Sequence, residues 1–174
     1  MRTPTRILAR ISLTLLLLVA PAVAAASGGP AQSATGGVHW TIGADVFGAP
    51  VVSRDLAFTV AQAAGGAVDG RFTYQQVFDG DTFRFSGRVT CLGVYDGNRA
   101  KLGGVIVQST DPTVPVGTFG WFQVFDLGDG SATTPDRSSL VGFGDESANE
   151  AFCASPALPR FGPWDVVGNV QVRG

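Results

Sequence analysis

Few side chains of this chain have types suited to chemistry. Cys91 and Cys153 are its two cysteines, His39 is its one histidine, and twelve of its 14 acidic residues are Asp. A Ser-His-Asp or Cys-His mechanism would depend on His39 alone, and no G-x-S-x-G nucleophile signature is present. General acid–base work needs a positioned second group, which the pattern around His39 does not identify; beside Trp40 it reads as the polar partner in a strand alternation. One His and two widely separated Cys also fall short of the clustered ligands that zinc takes. No catalytic residue and no cofactor is expected. The loop "FDLGDGSATTPDRSS" is the candidate metal site: Asp126, Asp129 and Asp136 could offer carboxylates to calcium, although their spacing departs from the EF-hand loop. The competing reading is a solvated turn, because Asp, Gly, Pro and Ser are what a β connection needs anyway.

The compartment decides what the two cysteines do. Arg2, Arg6 and Arg10 precede the apolar run "ISLTLLLLVAPAVA", and "AVAAAS" offers small-residue cleavage sites after Ala24 or Ala26. This is the order of a secretory signal peptide, read as residues 1–26. Residues 27–37, rich in Gly, Ala and Ser, read as a flexible leader, and residues 38–174 as one domain. No later apolar run is long enough for a transmembrane anchor, so a soluble, extracellular monomer is expected. Loss of the three leader arginines leaves nine basic residues against 14 acidic ones, a net charge of minus five, which argues against a nucleic-acid partner. In an oxidising compartment Cys91 and Cys153 have one intramolecular pairing, and a disulfide is the expectation.

Strand patterns run through the mature chain. "FRFSGRVTCLGVY" alternates over thirteen residues, and "RFTYQQVF" before it leads into Asp79-Gly80, a favoured hairpin turn. The pairing puts Phe72, Tyr74, Phe78, Phe83 and Phe85 on one face. Continuing the alternation places Cys91, Gly93 and Tyr95 inside with Ala100, Leu102, Gly104 and Ile106. Arg99 and Lys101 then face solvent, and Gly103-Gly104 marks a bend or bulge. Asp96-Gly97 or Gly97-Asn98 would centre the second turn. Further strands are read at 38–47, 55–60, 118–126, 138–144 and 165–173. Eight antiparallel strands with short Gly, Pro and Asp connections suggest an all-β, up-and-down barrel, with a two-sheet β-sandwich as the alternative. The segment 145–164 is the part that is not strand-like. It is expected to cover the outer face of the Cys91 hairpin.

The ordered pattern "GRFTYQ…FSGRVTCL…GNRAKLGGVI…GTFGWFQVFDLGDG…PDRSSLVGF…FCASP" resembles a family of small secreted bacterial β proteins with no assigned function. The resemblance spans about Gly70 to Arg173 and implies the topology without catalytic residues. The functional expectation is a secreted, non-enzymatic domain with a binding or structural role. A lipocalin-like carrier of a small apolar ligand in the lumen is the alternative, and an enzyme comes third. Six inward aromatics favour a filled lumen. On the outer face, Arg71, Arg84 and Arg88 form a stripe that could read anionic glycans, unless neighbouring Asp55 or Asp69 neutralises it.

Overall fold

A computed structural model describes residues 31–43, 51–128, 133–158 and 162–174. The signal-peptide reading of residues 1–26 lies outside them, as does Asp129. The described chain is a ten-stranded antiparallel sheet curled into a nearly closed barrel, with one helix on its outside. Strands β1 (Gln32–Ile42), β2 (Val52–Gln62), β3 (Val68–Phe78), β4 (Asp81–Tyr95), β5 (Arg99–Ser109) and β6 (Phe119–Phe125) run up and down in sequence order. The short β7 (Arg137–Ser138) and β8 (Gly142–Gly144) both pair with β6. Helix α1 (Glu146–Ala154) follows, then β9 (Trp164–Asp165) and β10 (Val167–Arg173).

Strand β1 begins inside the stretch read as a flexible leader. Residues 32–37 pair in register with β2, and 33–37 with β10 as well. Their small side chains are what the interior requires: Ala34 is buried, and a Cβ on Gly36 would collide with the ring of Phe58. The composition that reads as a linker is here a strand passing beneath an aromatic ring. The strand expected at 38–47 ends at Ile42, and residues 44–47 lie outside the described part.

The first hairpin folds as its sequence requires. Asp79 and Gly80 take positive φ of 50° and 85°, the mirror-image turn that matches strand twist, and Tyr74 pairs opposite Phe85. The second hairpin differs. Its loop has three residues, Asp96-Gly97-Asn98, with Tyr95 opposite Arg99, so neither two-residue turn applies. Within β4, Cys91 pairs with Gly103 while Val89 pairs with Gly104, and Thr90 is left as a bulge. One unpaired residue exchanges the faces of everything beyond it. Leu92 and Val94 therefore pack with the core, whereas Cys91, Gly93 and Tyr95, expected inside, lie on the outer face. The residues expected inside from β5, Ala100, Leu102 and Ile106, are completely buried.

Aromatic rings from opposite walls meet in the lumen. Phe122 on β6 stands edge-on to Phe58 on β2 and Phe72 on β3, each at 5.6 Å between ring centroids. Tyr74 stacks on Phe85 at 4.8 Å, and its hydroxyl accepts from Arg54 Nε at 2.9 Å. The interior is thus a packed core, but of the six aromatics expected inside only Phe72, Tyr74 and Phe85 are buried; Phe83 is partly buried, Phe78 beside the turn is exposed, and Tyr95 lies on the outer face.

Closure falls to residues 164–173. β9 pairs with β7 on one side, and β10 pairs with β1 on the other, so one continuous segment spans both ends of the sheet. Beyond β9 the free edge of β10 has no strand beside it among the described residues, and two carboxylates take that place. Asp136, fully buried, accepts from Val170 N at 2.6 Å and from Leu127 N at 2.8 Å. Asp126 accepts from Val172 N at 3.0 Å. The backbone carbonyl of Asp136 accepts from Val166 N. Alternate amides of the edge are satisfied by side-chain oxygens where a neighbouring strand would supply carbonyls.

Two outcomes follow from this interior. Asp136→Ala leaves two amides without an acceptor and should lower the unfolding free energy by about 3 kcal/mol, against about 1 kcal/mol for Asp126→Ala; urea unfolding measures both, and equal effects would refute the seam. Burial, opposed in part by Arg54, pushes the Tyr74 phenol from 10.0 up to about 12. The fold therefore favours the neutral phenol: its contribution is complete below pH 10 and is lost as pH rises to 12, about 3 kcal/mol in all. Phenolate absorbance should show one of the two tyrosines ionising only near pH 12, and Tyr74→Phe should remove the matching loss of stability.

Candidate functional site

Because β1 to β4 pair without a register shift, their outward side chains form straight rows across the sheet, and β5 joins one of them through Gln108 before its own register with β4 shifts at Ser86/Gly87. One row joins His39, Asp55, Gln75 and Arg84 as direct cross-strand partners. The next joins Gly37, Ala57, Thr73, Ser86 and Gln108. A third joins Thr35, Thr59, Arg71 and Arg88. The middle row carries mostly small side chains, and the barrel exterior dips there into a groove of about 970 Å³. Its lining includes the whole His39 row, the small-residue floor, and Gln108 and Thr110 at the β5 end. This volume lies in the range of small-molecule sites, but the groove is open and crosses five strands.

The charge of this surface is uneven. His39 Nδ1 and Asp55 Oδ1 are 2.9 Å apart, so the acid closest to the arginines in the row is occupied by the histidine. Arg71 and Arg88 stand directly opposite one another and are exposed, as is Arg84. None of the three forms an ion pair among the described residues, so neither Asp55 nor Asp69 neutralises them. Like charges at a cross-strand pair are destabilising. Thr73 and Ser86 lie between the Arg71–Arg88 pair and Arg84, so three cations surround two hydroxyls. Arg84 and Arg88 are separated along β4 by about 13 Å.

A second feature lies at the other end of β4 and β5, under α1. Asp145 caps the helix: its carboxylate accepts from Ala148 N and from the Ser147 hydroxyl, which hold it below the usual carboxylate range. Cys153 near the helix end is bonded to Cys91, confirming the expected disulfide, and the Tyr95 hydroxyl donates to the Cys153 carbonyl. Asn149, completely buried, donates from Nδ2 to Thr90 Oγ1 at 3.2 Å, and a Cβ on Gly103 would fall on its Oδ1. The Gly103-Gly104 pair thus has two purposes: Gly103 admits the helix, and Gly104 faces the bulge. Arg99 and Lys101, expected in solvent, are covered by this layer, at 6% and 2% exposure. Arg99 donates to the Pro156 carbonyl and pairs with Asp96, and Lys101 Nζ sits 4.5 Å from the Phe152 ring centre.

The sequence candidates fare unequally. Asp126 and Asp136, offered as calcium ligands, are committed to backbone amides of the seam, because a buried edge strand needs acceptors there. Among the described residues no group of three or more His, Cys, Asp or Glu is placed to hold a metal ion. The arginine stripe is brought together on one face. Pairing the predicted hairpins residue by residue would have shown the floor of small side chains between its members, since the register alone defines the rows. No protein-family model, no curated protein and no solved structure matches the chain.

The disulfide closes a loop across 62 positions and fastens α1 to the sheet. In the chain-entropy account it contributes about 4 kcal/mol. Thiol titration of the native protein should find no free thiol, and reduction or Cys153→Ser should lower the melting temperature; two reactive thiols with unchanged stability would contradict this.

Proposed function

We propose that the protein is a secreted, non-catalytic binding domain that holds an anionic polysaccharide across its outer groove. The observation that carries this reading is the exposed, unneutralised set of Arg71, Arg84 and Arg88 around hydroxyl-bearing Thr73 and Ser86. An acidic glycan supplies what this surface lacks: carboxylate or sulfate groups for the guanidiniums, in bidentate geometry, and hydroxyls for Gln75, Gln108 and Ser86. It would also relieve the repulsion of the Arg71–Arg88 pair. The disulfide and the sequence's leader support export, and the aromatic packing of the lumen favours a ligand held on the outer face over one held inside.

Each exposed contact is individually weak, so affinity rests on several acting along one chain and falls with salt. The protein should be retained on immobilised heparin and released by salt, while uncharged dextran retains nothing. Arg84→Ala and Arg88→Ala should each weaken binding by about tenfold with the fold intact, since a charge-assisted bond is worth about 1.5 kcal/mol or more. Retention that is absent in the native protein, or unchanged in both variants, rejects the proposal.

A further inference from the structure

Beneath the end of α1 lies a smaller pocket of about 460 Å³, outside the barrel wall and separate from the groove. Its sides are apolar and aromatic: Trp121 from β6, Leu140 and Val141 from the connection after β7, Phe152 from α1, and Leu158 at the rim. Lys101 of β5 opens into it. This lysine is 2% exposed as a residue, and no carboxylate pairs with it among the described residues. Its ammonium contacts are the Phe152 ring at 4.5 Å and the Tyr95 ring at 6.0 Å.

Such a cation is incompletely compensated. Ring faces attract an ammonium but accept none of its three hydrogen bonds in the way an anion does. Burial, and then the neighbouring Arg99, lower its pKa from the ordinary lysine value, the direction expected where a charge lacks a partner. A second observation points the same way. Gln123, directly across from Lys101 on β6, is completely buried, and neither its Oε1 nor its Nε2 has a hydrogen-bond partner among the described residues. Buried polar groups without partners are rare in folded proteins, and here one adjoins an unpaired cation at the head of an apolar pocket.

We infer that this pocket binds a small organic acid, its carboxylate on Lys101 and its apolar body between Trp121, Phe152 and Leu158. The carboxylate gives Lys101 its counter-ion, and the hydrocarbon covers the exposed Leu158 side chain, which is 67% accessible. The site is independent of the arginine groove.

Octanoate and 1-octanol, of equal chain length, separate the charge from the hydrocarbon in calorimetric titrations of the full-length protein. Octanoate should bind saturably and about tenfold more tightly than octanol. Lys101→Met should remove that preference, and Leu158→Ala should weaken both probes. Arg84→Ala should leave octanoate binding unchanged. In the unsubstituted protein, the Lys101 side-chain resonances should shift as octanoate is added, a readout that does not depend on any variant folding. Equal affinity for the two probes, or Lys101 resonances that stay in place while octanoate binds, would overturn the inference.

Discussion

The buried carboxylate of Asp136 is the constraint on which the rest of the structure depends. A curled antiparallel sheet must find acceptors for the amides of its last strand, and β10 finds them only partly in the neighbouring chain. By accepting from Val170 N and Leu127 N together, Asp136 ties the end of the sheet to the connection after β6. A carboxylate accepts several hydrogen bonds without needing the regular spacing of a strand, so it can bridge a seam that backbone alone would leave open. With β10 held, β1 is sandwiched between two partners. The register of β1 to β4 that sets the exterior rows then has no free edge on that side.

The bulge at Thr90 has a comparable effect at the opposite end of β4. Before it, the strand buries Phe85 and Val89 in the barrel; after it, the same strand buries Leu92 inward and turns Cys91 and Tyr95 toward α1. A single extra residue therefore lets one strand serve two cores. The outer core is mixed in character, with Trp121 and Phe152 at 6.0 Å between ring centres beside buried Arg99, Lys101, Gln123 and Asn149. The disulfide compensates for the weak attachment such a layer would otherwise have.

The elements legible in the sequence are those with a local cause. Alternation over "FRFSGRV" and the Asp79-Gly80 turn define the first hairpin and its aromatic face. The pairing of Cys91 with Cys153 follows because each has no other partner. What escaped the sequence is non-local. Nothing in "QSATGG" reveals that Phe58 will lie against Gly36, and the bulge at Thr90 lies where Asn149 of α1 packs on Gly103, a contact between segments far apart in sequence. The aspartates of the 126–136 loop have the composition of a turn or a cation site; their role as stand-ins for strand carbonyls depends on β10 arriving there. For the exterior, the arginine stripe was visible from alternation alone, whereas the groove between its members required the cross-strand register of five strands.

A filled interior leaves the groove and the smaller pocket on the outside of the barrel as the concave surfaces described. With Phe58, Phe72 and Phe122 interlocked across the lumen, a ligand inside would have to displace rings whose packing holds the two walls together. The outer surface carries no such cost, and the groove and the pocket each place cations in a protein whose net charge is negative. Those cations differ in what they can recognise. The groove arginines are exposed, so their attraction is screened and must be summed over several contacts on a long ligand. Lys101 is less exposed, at the head of an apolar pocket, so a single well-placed anion has a larger effect there. One barrel wall thus provides an extended surface suited to weak contacts repeated along a chain and an enclosed pocket suited to one charge on a small molecule.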